Sequence, residues 1–215
     1  MNPGFLVYFA DPMCSWCYGF GPELDSLRRE RPALRVDLVM GGLRAYNTEK
    51  STPDFRSTIA GHWAHVAAES GLPFNDAALA REGFVYDTEP ACRAVVVVRA
   101  TDPARALPYF TRIQHAFYVE GRDVTDPEVL ADLAAVEGLD RAVFRASHAS
   151  TAAMEAVRHD FSATLQSGVT GFPTIAVGLP ERRYVLLAAG FTRAAALAER
   201  LDRILAAAST EPAFG

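Results

Sequence analysis

The 215-residue sequence predicts an α/β fold interrupted by a long all-helical insertion. Three observations carry this. Strand-like apolar runs occur only towards the two ends of the chain, and the stretch between them is punctuated throughout as helices. The first segment reads as strand, helix, strand, and the last as two strands and a helix, so the ends together make one layered unit. Half of the residues are apolar, enough to bury a sizeable core at this length.

Phe5 to Ala10 is a short apolar run and reads as the first strand. Asp11 to Met13 forms a turn, and a helix runs from Ser15 to about Arg31, amphipathic from Gly21 onwards. Leu34 to Met40 alternates as a second strand, ended by Gly41-Gly42. Strand, helix and strand at this spacing suggest a parallel βαβ unit.

From about Thr48 the punctuation becomes helical. Pro53 to Ser70 carries Phe55, Ile59, Trp63 and Val66 at helical spacing and is closed by Gly71. Asp102-Pro103 and Asp126-Pro127 each place an N-cap before a first-turn proline, starting helices over Ala104–Glu120 and Glu128–Glu137. Asp140–Ala146 and Thr151–Gln166 continue the series. Val95 to Val98 would be a strand by propensity alone, but its flanks make Ala91–Ala100 a buried helix. Trp63, Phe110, Phe117 and Tyr118 recur at helical spacing as core.

Strand character returns at Thr174–Val177. Gly178-Leu179-Pro180 turns, and Arg183–Ala188 comes back as a hairpin. Gly190 breaks the strand and Thr192 is the expected cap of a helix over Arg193–Ala208, with Leu197, Leu201, Ile204 and Leu205 on one face. Ser209 to Gly215 reads as a frayed tail. The division expected is 1–47 with 167–215 as one domain and 48–166 as the helical insertion.

The chemistry lies in Cys14-Ser15-Trp16-Cys17, between the first strand and the first helix. Thiols three residues apart sit about one helical turn apart on one face, close enough to form a small disulfide ring. Cys14 falls where unpaired backbone N–H groups and the positive helix end favour a thiolate, so its pKa is expected to fall. The alternatives at this stage are two buried thiols or half of a zinc site. A four-cysteine zinc site needs a second pair, and Cys92 is the one other cysteine. Among His62, His65, His115, His148 and His159, only His62 and His65 share a predicted helix at ligand spacing. Cys92 itself reads as a small buried hydrophobe, with a regulatory thiol as the alternative.

The second signal is Gly168-Val169-Thr170-Gly171-Phe172-Pro173-Thr174, just before a short strand. A proline entering a strand removes a ladder donor and belongs at an edge, a start or a bend.

With Asp11-Pro-Met-Cys14-Ser-Trp-Cys17-Tyr-Gly-Phe20 and this proline loop, the chain resembles the DsbA-like thioredoxin superfamily, in its cytosolic FrnE-like branch. The resemblance covers nearly the whole chain. It implies a thioredoxin-like fold split by a helical insertion, with Cys14 as nucleophile, Cys17 as resolving thiol and Pro173 as a cis-proline facing them. It also implies that the Phe172 backbone pairs with an extended substrate. Strongly oxidising relatives carry a histidine between the cysteines, whereas Ser15-Trp16 supplies no charge. The expected potential is therefore more reducing than about −120 mV. Trp16 is expected at the substrate groove, or else partly buried against the insertion. Asp11 is expected as a turn residue, with proton acceptor for Cys17 as the alternative.

Net charge of −5, with Lys50 the sole lysine, argues against nucleic acid. No segment approaches the roughly 20 apolar residues of a membrane span. The N-terminal run lacks a basic lead and is needed as a strand, so the expected address is the cytosol, where CxxC is catalytic or metal-binding more often than structural. The function expected is a disulfide oxidoreductase, acting as reductase or isomerase without metal or organic cofactor. Its substrates would be protein or small-molecule thiols and disulfides, with glutathione as a candidate. The competing readings are a glutathione-dependent transferase or isomerase of the kappa or hydroxychromene-carboxylate type, and a redox-sensing or metal-binding module.

Overall fold

The computed structural model describes residues 5–180 and 184–210. Strand β1 (Phe5–Ala10), helix α1 (Ser15–Glu30) and strand β2 (Arg35–Met40) come first, with β1 and β2 parallel as expected. Helices α2 (Pro53–Ser70), α3 (Ala77–Ala80), α4 (Glu89–Thr101), α5 (Pro103–Tyr118), α6 (Pro127–Val136), α7 (Arg141–His148) and α8 (Thr151–Gln166) follow. Strands β3 (Thr174–Gly178) and β4 (Tyr184–Ala189) and helix α9 (Ala194–Thr210) close the chain. The sheet order is β2-β1-β3-β4, with β3 antiparallel to both neighbours, so the two ends of the sequence build one sheet around the helical stretch.

Side-chain caps set most of the helix starts. Thr52, Asp102, Asp126, Asp140 and Ser150 each accept a hydrogen bond from a first-turn N–H, and proline occupies the first turn after the first three of them. Gly71 ends α2 at φ 73°, a conformation that costs glycine little. The Val95–Val98 run is helical and buried, as its flanks indicated.

Three local expectations change. The short helix α3 was not legible: four residues carry too little periodicity. Thr192 does not cap α9. Its hydroxyl donates to the Gly190 carbonyl, and the Ala194 N–H is taken instead by Glu23 Oε2 of α1 at 2.7 Å. Helix α9 also runs through Ser209 to Thr210, past the expected start of the tail. Arg183 and the remainder of that tail, 211–215, lie outside the described residues.

Alternation along β1 sorts its side chains into two layers. Leu6, Tyr8 and Ala10 enter the main core with Cys17, Phe20, Val95 and Phe110, while Val7 and Phe9 pack with Ala176 on the other face. Helix α1 packs against α2, α5 and α9, and α8 lies against β2. Arg99 of α4 grips Asp160 of α8 with two hydrogen bonds of 2.8 Å and also donates to the Leu38 carbonyl of β2. Asp160 in turn accepts from the Met40 N–H at 2.9 Å, so the helices between β2 and β3 are keyed to the sheet at the C-terminal end of β2.

Candidate active site

The turn leaving β1 is built around Asp11, which is fully buried. Its Oδ1 accepts from the Met13 N–H at 2.8 Å and its Oδ2 from the Leu43 N–H at 2.7 Å, so one carboxylate joins the ends of β1 and β2. Its carbonyl accepts from the Cys14 N–H at 3.0 Å. Burial pushes the Asp11 carboxyl up, against the lowering effect of hydrogen bonds from Thr88, Met13, Leu43 and Cys92. The turn role expected for Asp11 matches this geometry.

Cys14 is the N-cap residue of α1, in extended conformation, and Cys17 follows within the first turn. Cys17 is fully buried, and burial together with the adjoining Cys14 thiol pushes its thiol well up. All three cysteines are free thiols. A nucleophilic thiol at a helix N-terminus would be expected in the open, but Cys14 is only 5% accessible. The cover comes from 158 residues away: the Cys14 thiol lies 3.7 Å from the Phe172 carbonyl oxygen, its hydrogen-bond acceptor. Below the pair, Tyr86 donates to the Met13 carbonyl at 2.5 Å.

The Phe172–Pro173 peptide bond is cis. Its loop is fixed by Thr174 Oγ1 donating to the Gly171 carbonyl at 2.7 Å and by the Gly190 N–H donating to the Pro173 carbonyl at 2.7 Å. The Phe172 ring lies against Gly41, where a Cβ would come within 2.0 Å of the ring. Cys14, Cys17, Phe172 and Pro173 are thus brought together although they come from opposite ends of the chain. Ser15 and Trp16 lie half-buried beside them. Trp16 packs on Phe191, with ring centroids 5.9 Å apart, so part of its burial is against the β4–α9 loop.

A wall of aromatic rings flanks the start of α1. Tyr18 stacks on Tyr118 at 4.8 Å and meets Phe74 edge-on at 5.2 Å. Trp63, Phe110, Phe117 and Tyr118 are all buried. His62 and His65 are both exposed, whereas the neighbouring Trp63 and Val66 are buried. Among the described residues, no group of three or more His, Cys, Asp or Glu side chains is placed to hold a metal. Cys92 is buried, as expected, but it is more than a hydrophobe: its Sγ donates to Asp11 Oδ2 at 3.4 Å. Sequence reasoning missed Leu43, Tyr86, Thr88 and Phe191, which support the site through long-range contacts that no spacing announces.

Known proteins resemble the chain in sequence and fold. The chain is 37% identical to a candidate protein disulfide isomerase from Nitrosomonas europaea, covering 95% of this chain and 98% of that one, with a TM-score of 0.87. It is 30% identical to the cytosolic disulfide reductase DsbM from Pseudomonas aeruginosa, covering 94% and 99% of the two chains, with a TM-score of 0.78. Among curated relatives, the ClpXP adapter protein SpxH of Halalkalibacterium halodurans is 23% identical over 178 residues. That match takes in 80% of this chain but 58% of the relative, so the chain spans little more than half the length of the curated proteins it matches. The profile of the DsbA-like thioredoxin domain fits residues 6–202, almost the whole described chain. With a split α/β fold, a cysteine pair opening α1 and a cis-proline loop laid across it, the chain belongs to the DsbA-like thioredoxin domain family.

Proposed function

We propose that the chain is a thiol–disulfide oxidoreductase working through the Cys14–Cys17 pair, as a reductase or isomerase in the cytosol. The observation that carries this is the contact between the Cys14 thiol and the Phe172 carbonyl, 3.7 Å apart, with Cys17 buried one turn further on. Cys14 is the thiol that meets substrate: its sulfur attacks a substrate disulfide, one substrate sulfur leaves, and a mixed disulfide forms. Cys17 then attacks the Cys14 sulfur and frees the second substrate sulfur. The backbone at Phe172 is where an extended substrate segment pairs, which gives affinity with little demand on side chains. The uncharged Ser15-Trp16 pair favours the reducing direction, and the reductase DsbM is a supporting parallel.

Substrates on this reading are protein or small-molecule disulfides and thiols. Glutathione is included because DsbM has also been solved with GSH. Neither metal nor organic cofactor enters the mechanism. Residues 1–47 and 167–215 form the thioredoxin-like unit and 48–166 the insertion, within a FrnE-like branch. The intact pair weighs against a glutathione transferase or isomerase of the kappa or hydroxychromene-carboxylate type, in which a serine stands for the first cysteine.

The test is trapping. Cys17→Ala should accumulate substrate bound covalently to Cys14, identifiable by mass spectrometry and released by dithiothreitol. Cys14→Ala should trap nothing. Equal trapping by both variants, or by neither, contradicts the assignment.

A further inference from the structure

Tyr8 stands in the middle of β1, on the face shared with Leu6 and Ala10, and is 1% exposed. Its ring is held by Phe20 and Phe110, each with centroids 5.9 Å away. Its hydroxyl has no hydrogen-bond partner among the described residues. Two other buried phenols are engaged, Tyr86 donating to the Met13 carbonyl and Tyr109 to the Leu130 carbonyl, while the Tyr118 hydroxyl, like that of Tyr8, has no such partner. A buried O–H without a partner is costly, and phenylalanine would fill the same space without that penalty. Tyr8 and Cys17 share the same buried cluster, the Tyr8 ring packing on Phe20 three residues after Cys17, and the hydroxyl lies near the Cys17 thiol without meeting hydrogen-bond geometry to it.

We propose that the Tyr8 hydroxyl is a hydrogen-bond donor to the Cys17 sulfur, engaged when that sulfur becomes a thiolate to resolve the mixed disulfide. The proposal rests on the reading of Cys14 and Cys17 as the exchanging pair. In the resolving step Cys17 gives up its proton and its sulfur attacks the Cys14 sulfur. The Cys14–Cys17 bond forms as the Cys14–substrate bond breaks. The departing substrate sulfur carries off the bonding electron pair and takes up the proton, so the protein pair ends two electrons oxidised and the substrate reduced. Tyr8 keeps its own proton throughout. Burial pushes its phenol well up, so it is a donor at any working pH. The need for a donor is physical. Burial holds Cys17 in its neutral form, and the nearby Asp11 carboxylate opposes a second negative charge. In the resting dithiol the neutral thiol is a weak acceptor, which accounts for the idle hydroxyl.

The test uses 5,5′-dithiobis(2-nitrobenzoate) in equimolar amount with the fully reduced protein, at one pH. The first release of nitrothiobenzoate reports attack by Cys14, and the second reports resolution by Cys17. Tyr8→Phe should leave the first phase unchanged and slow the second by about tenfold or more, the usual worth of a hydrogen bond to a charged group. Replacing Tyr8 by 3-fluorotyrosine, of nearly the same shape but a stronger donor, should speed the second phase. An unchanged second phase in either protein overturns the proposal, as does equal slowing of both phases by Tyr8→Phe. Absence of the first phase in the wild type would count against the exchanging pair itself.

Discussion

Cys92 Sγ donates a hydrogen bond to Asp11 Oδ2 over 3.4 Å, linking residues 81 apart in sequence. The contact ties α4 to the turn that presents Cys14, and the same Asp11 oxygen also holds the Leu43 N–H. Burial and the facing carboxylate push the Cys92 thiol well up. In native protein Cys92 should therefore stay unmodified by iodoacetamide and react only on unfolding. Cys92→Val removes the donor and should cost about 1–2 kcal/mol in urea unfolding, whereas Cys92→Ser should cost less. Ready alkylation of native Cys92 contradicts this.

Gly41 is required by Phe172. A Cβ at position 41 would sit 2.0 Å from the Phe172 ring, so Gly41→Ala must displace that ring, which belongs to the residue whose carbonyl meets Cys14. Insulin-reduction activity should fall by about tenfold or more, because small misplacements at a reacting centre are costly. Gly21 offers the control. A Cβ there meets nothing within 4 Å, and Gly21→Ala in helix α1 should keep activity while adding about 0.5–1 kcal/mol of stability.

The Arg99–Asp160 pair should contribute more to stability than the exposed ion pairs. The Asp160 side chain is 7% exposed and its carboxylate also holds the Met40 N–H, so Asp160→Ala leaves Arg99 and a backbone donor without their acceptor. The expected loss is about 3 kcal/mol by urea unfolding. Removing Asp202 from its exposed pair with Arg31 should cost less than about 1 kcal/mol.

His148 should make the protein acid-sensitive. It is buried, stacks on Phe144 and meets the Pro90 carbonyl at 3.0 Å, and burial pushes its pKa down to about 4. Between about 6.5 and about 4 the unfolded chain binds the proton and the folded chain does not, so stability falls as pH is lowered through that window. The full effect is on the order of 3 kcal/mol, from a shift of roughly 2.5 units. Urea midpoints at pH 7 and pH 5 measure it. His148→Gln should show a smaller difference between the two, and an equal difference contradicts the assignment.

The fold was legible wherever local chemistry decides it. The apolar run Phe5–Ala10, the Asp-Pro pairs before α5 and α6, and Gly71 after α2 act over a few residues and can be read directly. The Cys14–Cys17 spacing and the proline loop were legible for the same reason. What escaped depends on residues distant in sequence: Phe172 covering Cys14, Phe191 receiving Trp16, and Glu23 capping α9 in place of Thr192. Asp11 was readable as a turn former, but its hold on Leu43 and Cys92 required the β1–β2 register and the position of α4.

The most direct test is to equilibrate the protein in glutathione buffers of graded potential, quench with acid and count the Cys14–Cys17 disulfide by alkylation and mass spectrometry. A single two-electron transition between these two cysteines, with a midpoint more negative than about −120 mV and Cys92 reduced throughout, is the result this account predicts. A pair that never closes, or a disulfide joining Cys92 in its place, would contradict it.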